Sequence, residues 1–295
     1  MRKALFVATV VVVSALVPAS AFGWGFTGHR LIMRRAIDLL PAELKPFFTE
    51  HREEIVVRAI DPDLWRNVGW EDDPNHFMDF GARELGEFPF SALPREYGAA
   101  LEKFGIATLK RNGMLPWRAT EIFGNLRRGF EGFTRGSGFA VNDVILFAAV
   151  LCHYLQDAHQ PLHATINYNG QLTGNEGIHS RFESDLIERF ESRLSIVPAA
   201  PTPVRNPRDF AFDALLASYQ LVDQILKADT AAVAGKDEYD DEYFEKLFVS
   251  VRPILEKRLS ESITASAAVI IGAWEAAGKP ALKEGARTPQ KVRRP

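Results

Sequence analysis

The sequence predicts an all-α protein folded as a single multi-helix domain. Two observations carry this expectation. Apolar residues recur at helical spacing through most of the 295-residue chain, and no stretch shows a strand-like alternation of note. No internal repeat is visible. Beyond an apolar run near the start, no segment is apolar enough to cross a membrane.

The elements follow in order. Arg2 and Lys3 form a charged opening, and residues 4–17 form an apolar run too short to span a bilayer. Small residues then allow cleavage after Ala21 or after Gly23. Residues 1–23 are therefore expected to be a signal peptide, with export to the periplasm or the cell exterior. An uncleaved membrane anchor is the alternative. Residues 29–40 are the first expected helix, stopped by Pro41, and residues 44–60 the second, ended by a turn at Asp61-Pro62-Asp63. Residues 71–80 are polar, Pro-containing and loop-rich. Residues 95–110 and 120–133 are further helices. Gly136 and Gly138 precede a long apolar helix from 142 to about 159, which Pro161 ends. Residues 168–177 form a Gly- and Asn-rich loop, 179–194 an amphipathic helix, and 198–207 a Pro-rich connector. Residues 209–227 and 237–277 supply the last helices. The domain spans 24–278, and residues 279–295 read as a basic, disordered tail.

Composition narrows the function. A single cysteine, Cys152, excludes an internal disulfide framework, so an exported chain must rely on packing or on metals. The formal net charge of −3 becomes −5 once Arg2 and Lys3 are removed. An acidic surface is unhelpful for non-specific grip on nucleic acid. It is expected if many carboxylates face cations.

The residues with chemistry fall into short runs. Cleavage before Trp24, in Trp24-Gly25-Phe26-Thr27-Gly28-His29, frees an α-amine and a carbonyl beside an imidazole, a chelating set. That chemistry favours the cut after Gly23, because two extra residues would bury the Trp24 amine in a peptide bond. His153 and Asp157 are i, i+4 on one helix and share a face. Pro161 breaks that helix and lets His163 turn toward a different ion. His179 and Glu183 repeat the i, i+4 spacing, and an imidazole with a carboxylate suits zinc. Either pair alone reads as a surface pair; two pairs joined by a helix-breaking Pro and a third His read as metal sites. Asp63 and His76, taken alone, read as a helix or turn cap and a loop residue.

In order, Trp24, His29, Asp63, His76, His153, Asp157, His163, His179 and Glu183 resemble the ligand pattern of the zinc-dependent phospholipase C and single-strand-specific zinc nuclease superfamily. The resemblance covers roughly residues 24 to 195. It implies an all-α domain around a trinuclear zinc site with the mature N-terminal Trp as a ligand. Asp63, His76, His153 and Asp157 would hold one zinc. Trp24, His29 and a bridging Asp157 would hold a second, and His163, His179 and Glu183 a third. His51 and His159 are left as surface or packing residues. Cys152 points about 100° away from His153 and reads as core.

The implied activity is hydrolysis of phosphoric ester bonds, with a zinc-bridging hydroxide attacking phosphorus in line with the leaving oxygen. Asp63 would help orient or deprotonate that water. Arg66 reads either as a bidentate phosphate contact or as a surface ion pair. Phe77 reads as a stacking surface for a base, a contact for a lipid glycerol, or core. The nuclease branch is echoed by Trp24-x4-His29 and Asp63-x2-Arg66. The phospholipase branch is echoed by the run from Gly177 to Glu183, above all by Glu183 where nucleases place Asp. Leu64 and Thr27 do not resemble the residues that cage choline in the lipases. The expectation leans to a phospholipase C-type phosphodiesterase, with a nuclease close behind. A non-catalytic secreted zinc-binding domain is the reading from another class. The implied partners are phospholipid or single-stranded nucleic acid as substrate, with transient membrane-surface contact and no stable protein partner.

Overall fold

Among the described residues, 24–283 of the computed structural model, the chain forms helices and turns and no strand. The expected signal peptide, residues 1–23, and residues 284–295 of the expected tail lie outside the described residues. The first helices are α1 (Gly25–Asp38), α2 (Lys45–Glu50), α3 (Arg52–Arg58) and α4 (Asp61–Asn67). After a stretch with two short 3₁₀ turns come α5 (Tyr97–Asn112), α6 (Leu115–Thr134) and α7 (Ala140–Ala158). The rest comprises α8 (Ile178–Ser180), α9 (Leu186–Phe190), α10 (Pro207–Tyr219), α11 (Val222–Val233) and α12 (Asp241–Ala276). The all-α expectation holds, and the helices share one hydrophobic core.

Helix α7 sits at the centre because most of its surface is apolar. Every residue from Ala148 to Ala158 is buried, as expected for a helix apolar nearly all round. It packs against α6 and α12, while α1 lies against α12 and α10 against α6. Cys152 is buried in this contact, its thiol 3.5 Å from the Ser266 carbonyl of α12, as the expected core residue. The connector after residue 194 has no strand partner. It lies along α12, where Ser195, Val197 and Ala199 N–H groups donate to Glu256, Ser260 and Thr264. Those acceptors sit four residues apart, so one helix face receives alternate N–H groups of an extended chain.

Several expected boundaries are corrected. The first helix starts at Gly25, and the second is broken at His51 into α2 and α3. Asp61-Pro62-Asp63 is no turn but the first turn of α4, where Pro's missing N–H costs nothing. The 179–194 helix is interrupted by a π turn at Arg181–Asp185. The 209–227 helix divides into α10 and α11. Residues 279–283 of the expected tail lie against α12: Pro280 accepts the Trp274 indole N–H, and Leu282 packs on the core.

One glycine fixes the segment that carries His76. Gly113, between α5 and α6, has φ +101°, and a Cβ there would fall 2.1 Å from the Phe77 carbonyl oxygen. This close approach lets Asp79 N–H reach Asn112 O at 2.7 Å and Met114 N–H reach Pro74 O at 2.6 Å. Gly113→Ala combines a left-handed backbone with a backbone clash. It is expected to lower stability by about 2–3 kcal/mol, read as a lower urea midpoint in circular dichroism.

Candidate metal centre

Nine predicted ligands come from seven pieces of chain, and the fold brings them together. Trp24 stands at the start of α1 with its indole buried and Nε1 donating to the Gln156 carbonyl at 2.8 Å. Gly25 makes the bend at φ +60°, where a Cβ would meet Ser184 Oγ at 2.5 Å. His29 lies just over one turn further along α1. Asp63 is in the first turn of α4, and His76 closes the 3₁₀ turn Asp73–His76. His153 and Asp157 occupy successive turns of α7, and His163 sits in the 3₁₀ turn Pro161–Ala164. His179 is in α8, and Glu183 is in the π turn that follows, a widened turn of the kind that recurs at functional sites. All nine residues are buried.

Three groups of ligand atoms form, each able to hold a metal ion. In the first, His76 Nδ1 and His153 Nε2 are 3.0 Å apart and lie 3.0 and 3.2 Å from Asp157 Oδ2. Asp63 Oδ1 stands 3.7 and 3.8 Å from the same two nitrogens. In the second, which also includes His153, His29 Nε2 is 3.3 Å from the other Asp157 oxygen and accepts the Trp24 backbone N–H at 3.1 Å. Asp157 thus turns one oxygen to each group. In the third, His163 Nε2 and His179 Nε2 are 3.1 Å apart, with Glu183 Oε2 at 3.8 and 2.9 Å.

The outward nitrogens decide what the inward ones offer. His153 Nδ1 faces the Ala59 carbonyl at 2.9 Å, His163 Nδ1 the His76 carbonyl at 2.6 Å, and His179 Nδ1 the Tyr168 carbonyl at 3.0 Å. A carbonyl only accepts, so each of these nitrogens carries the proton. His76 Nε2 faces Asp72 Oδ2 at 3.1 Å, and His29 Nδ1 faces Gln156 Oε1 at 2.6 Å. In the neutral rings, lone pairs therefore meet lone pairs across about 3 Å, beside carboxylates. Both Asp63 oxygens and Asp157 Oδ1 are buried with no hydrogen-bond partner. Orphaned carboxylate oxygens and facing lone pairs are costly in a dry interior. A cation in each group removes the cost, so the residues fit metal ions. Sets this rich in imidazole favour late transition ions over magnesium or calcium.

The titration behaviour expresses the same field. Burial pulls the His29, His76 and His179 imidazoles down, but neighbouring carboxylates, Asp157, Asp72 and Glu183 among them, outweigh it and raise all three. Burial pushes Asp157 up, yet the surrounding histidines hold it well below the usual carboxylate range. At His163 and Glu183 of the third group burial dominates, lowering His163 to about 3 and raising Glu183 to about 7.

Other predicted residues are placed as follows. Arg66 pairs with the exposed Asp73 and stands 3.8 Å from Asp63 Oδ1, at the rim of the first group. Phe77 is partly exposed immediately after His76. His51 rests against the Phe47 ring at 4.7 Å. His159 is buried at the end of α7, where burial and the nearby Arg258 lower it to about 3. Sequence reasoning missed Asp72, Gln156 and Gln160. Gln160 Nε2 donates to Glu183 Oε2 at 2.9 Å. Asp72 lies i, i+4 from His76, the same signal that exposed the other pairs. No family model matches the chain, and no curated protein matches its sequence.

Metal uptake by the third group must displace protons, since Glu183 takes up a proton below about 7. Because His179 in the same group is also raised, affinity there is expected to weaken as the pH falls through 7, by about tenfold or more per pH unit. Zinc titration against a chromophoric chelator at pH 8 and pH 6 checks this; equal affinity at both would contradict it.

Proposed function

We propose that the protein is a zinc-dependent hydrolase of phosphoric ester bonds, acting as an exported phospholipase C-type phosphodiesterase. The observation that carries the proposal is the shared Asp157, one oxygen to each of two adjoining ligand groups, with a third group close by. His163 Nδ1 of that third group is 3.9 Å from Asp157 Oδ2. Structural zinc sites are normally closed by four protein ligands, whereas the third group offers three. The ligand order also resembles the phospholipase C and zinc nuclease superfamily.

Asp63, His76, His153 and Asp157 would hold one ion; the Trp24 amine and carbonyl, His29 and Asp157 a second; His163, His179 and Glu183 a third. Ions so held supply Lewis acidity and a nucleophile at neutral pH. The chain's own residues do the rest. Asp63, buried in α4, orients the attacking water. Arg66 turns its guanidinium from the exposed Asp73 to a phosphate oxygen. The backbone carbonyls behind His153, His163 and His179 keep those rings from rotating as charge develops.

An apolar rim favours lipid. Leu64, directly after Asp63, is exposed, as are Val68 (69%) and Trp70 (62%), and Trp70 packs beside Trp65 with ring centroids 5.6 Å apart. Such a patch suits the acyl and glycerol part of an amphiphile. Phe77, partly exposed beside His76, supports the second reading, a single-strand-specific nuclease that stacks a base there.

The test is initial rates of the protein beginning at Trp24, zinc restored, on mixed phospholipid vesicles and on single-stranded DNA or RNA. Chelator-sensitive release of diacylglycerol is expected. Nucleotide release without diacylglycerol makes the protein a nuclease, and neither product overturns both readings. Asp157→Asn is expected to cost two of the three metal equivalents together, measured by elemental analysis after dialysis. Loss of only one contradicts the shared carboxylate.

A further inference from the structure

We infer that Gln156 is the positioning residue of the Trp24–His29 group: it seats both ligands and fixes which imidazole nitrogen of His29 faces the metal. The inference rests on the metal reading above. Gln156 precedes Asp157 on α7 and is fully buried. Its backbone and its side chain act on different ligands. The carbonyl accepts the Trp24 indole N–H at 2.8 Å, and the side-chain Oε1 lies 2.6 Å from His29 Nδ1.

The orientation of the amide follows from a chain of donors. Ser266 Oγ on α12 lies 2.9 Å from the Ser262 carbonyl, which only accepts, so the hydroxyl proton points there. The Ser266 lone pairs are then left for Gln156 Nε2, which donates to them at 3.3 Å. With its nitrogen turned to Ser266, the amide must present Oε1 to His29. His29 therefore carries its proton on Nδ1 and presents a bare Nε2, 3.1 Å from the Trp24 nitrogen and 3.3 Å from Asp157 Oδ1. A reversed amide would set N–H against Nδ1, drive the proton to Nε2 and close that nitrogen to a metal.

This arrangement singles out one site. His153, His163 and His179 are fixed by backbone carbonyls and His76 by the Asp72 carboxylate, none of which has a donor end to turn. Among the ligand histidines, His29 depends on an amide with both a donor and an acceptor end. A serine on α12 thereby sets the tautomer of a histidine on α1, through a glutamine on α7.

The test compares zinc content and zinc competition for the protein beginning at Trp24 in four forms: wild type, Gln156→Met, Gln156→Glu and Ser266→Ala. Wild type is expected to hold three equivalents. Gln156→Met, similar in size but without an acceptor, is expected to weaken one equivalent by about 10- to 100-fold, the usual effect of losing a partner behind a ligand, and to keep the other two. Gln156→Glu accepts from Nδ1 through either oxygen and is expected to keep all three, a rescue that packing alone would not produce. Cadmium NMR of the loaded proteins is expected to show one resonance perturbed in Gln156→Met and none lost in Gln156→Glu. Three equivalents at wild-type affinity in Gln156→Met overturn the role of Gln156. Fewer than three in wild type overturn the metal reading itself, and the inference with it. Should Gln156→Met fail to fold, Ser266→Ala decides: one weakened equivalent supports the inference, and unchanged affinity overturns it.

Discussion

Buried lone pairs aimed at one another are the constraint on which the rest of the structure depends. Asp63 and Asp157 are fully buried, and three of their four oxygens have no hydrogen-bond partner. Removing one partner of a buried charge pair costs about 3–5 kcal/mol, and a cation could serve as a partner to these carboxylates. Imidazole nitrogens crowd the Asp157 oxygens at 3.0 to 3.3 Å and stand 3.7 to 4.0 Å from the Asp63 oxygens. A rigid scaffold holds this cluster, and a cation could complete it. The scaffold is the continuous apolar core around α7, so the most polar part of the interior is held in place by the most apolar helix.

The holding is done from behind. The candidate ligand histidines are tied at the outward nitrogen, four of them to groups from other parts of the chain, Ala59 after α3, the His76 backbone, Tyr168 in the Asn-rich loop and Gln156, and His76 to Asp72 at the head of its own turn. Each tie fixes a ring plane and a tautomer at once. The His76 residue serves twice, its ring in the first group and its carbonyl behind His163 of the third. The first and third groups are therefore mechanically joined through one backbone segment, and the Gly113 turn that cradles this segment belongs to the site as much as any ligand does.

What was legible in the sequence was periodic or punctuated. His153 and Asp157 share a helical face by spacing, Pro161 announces the break that redirects His163, and the apolar run of α7 marks the centre of the core. What was not legible depended on long-range contact. Gln156 looks like one more residue beside a ligand until α1 and α12 close on it from both sides. Asp61-Pro62-Asp63 reads as a turn because Pro interrupts a helix, but Pro also opens one, and only the packing of α4 against α7 decides. The π turn that carries Glu183 has no mark in the sequence.

Trp24 is seated by its side chain. Its indole is buried and hydrogen-bonded, so side-chain packing, not the ligand atoms, puts the backbone nitrogen 3.1 Å from His29 Nε2. A peptide nitrogen in that place has its lone pair delocalised into the carbonyl and can only donate its N–H. A free α-amine in the same place has a lone pair to give. The same coordinates thus serve two chemistries, and one peptide bond separates them. Under the proposed reading, the bond before Trp24 controls whether the second group is closed by its own hydrogen bond or open to an ion. The tie from Gln156 to His29 matters in either state, because it keeps Nε2 bare and facing that nitrogen before and after the change.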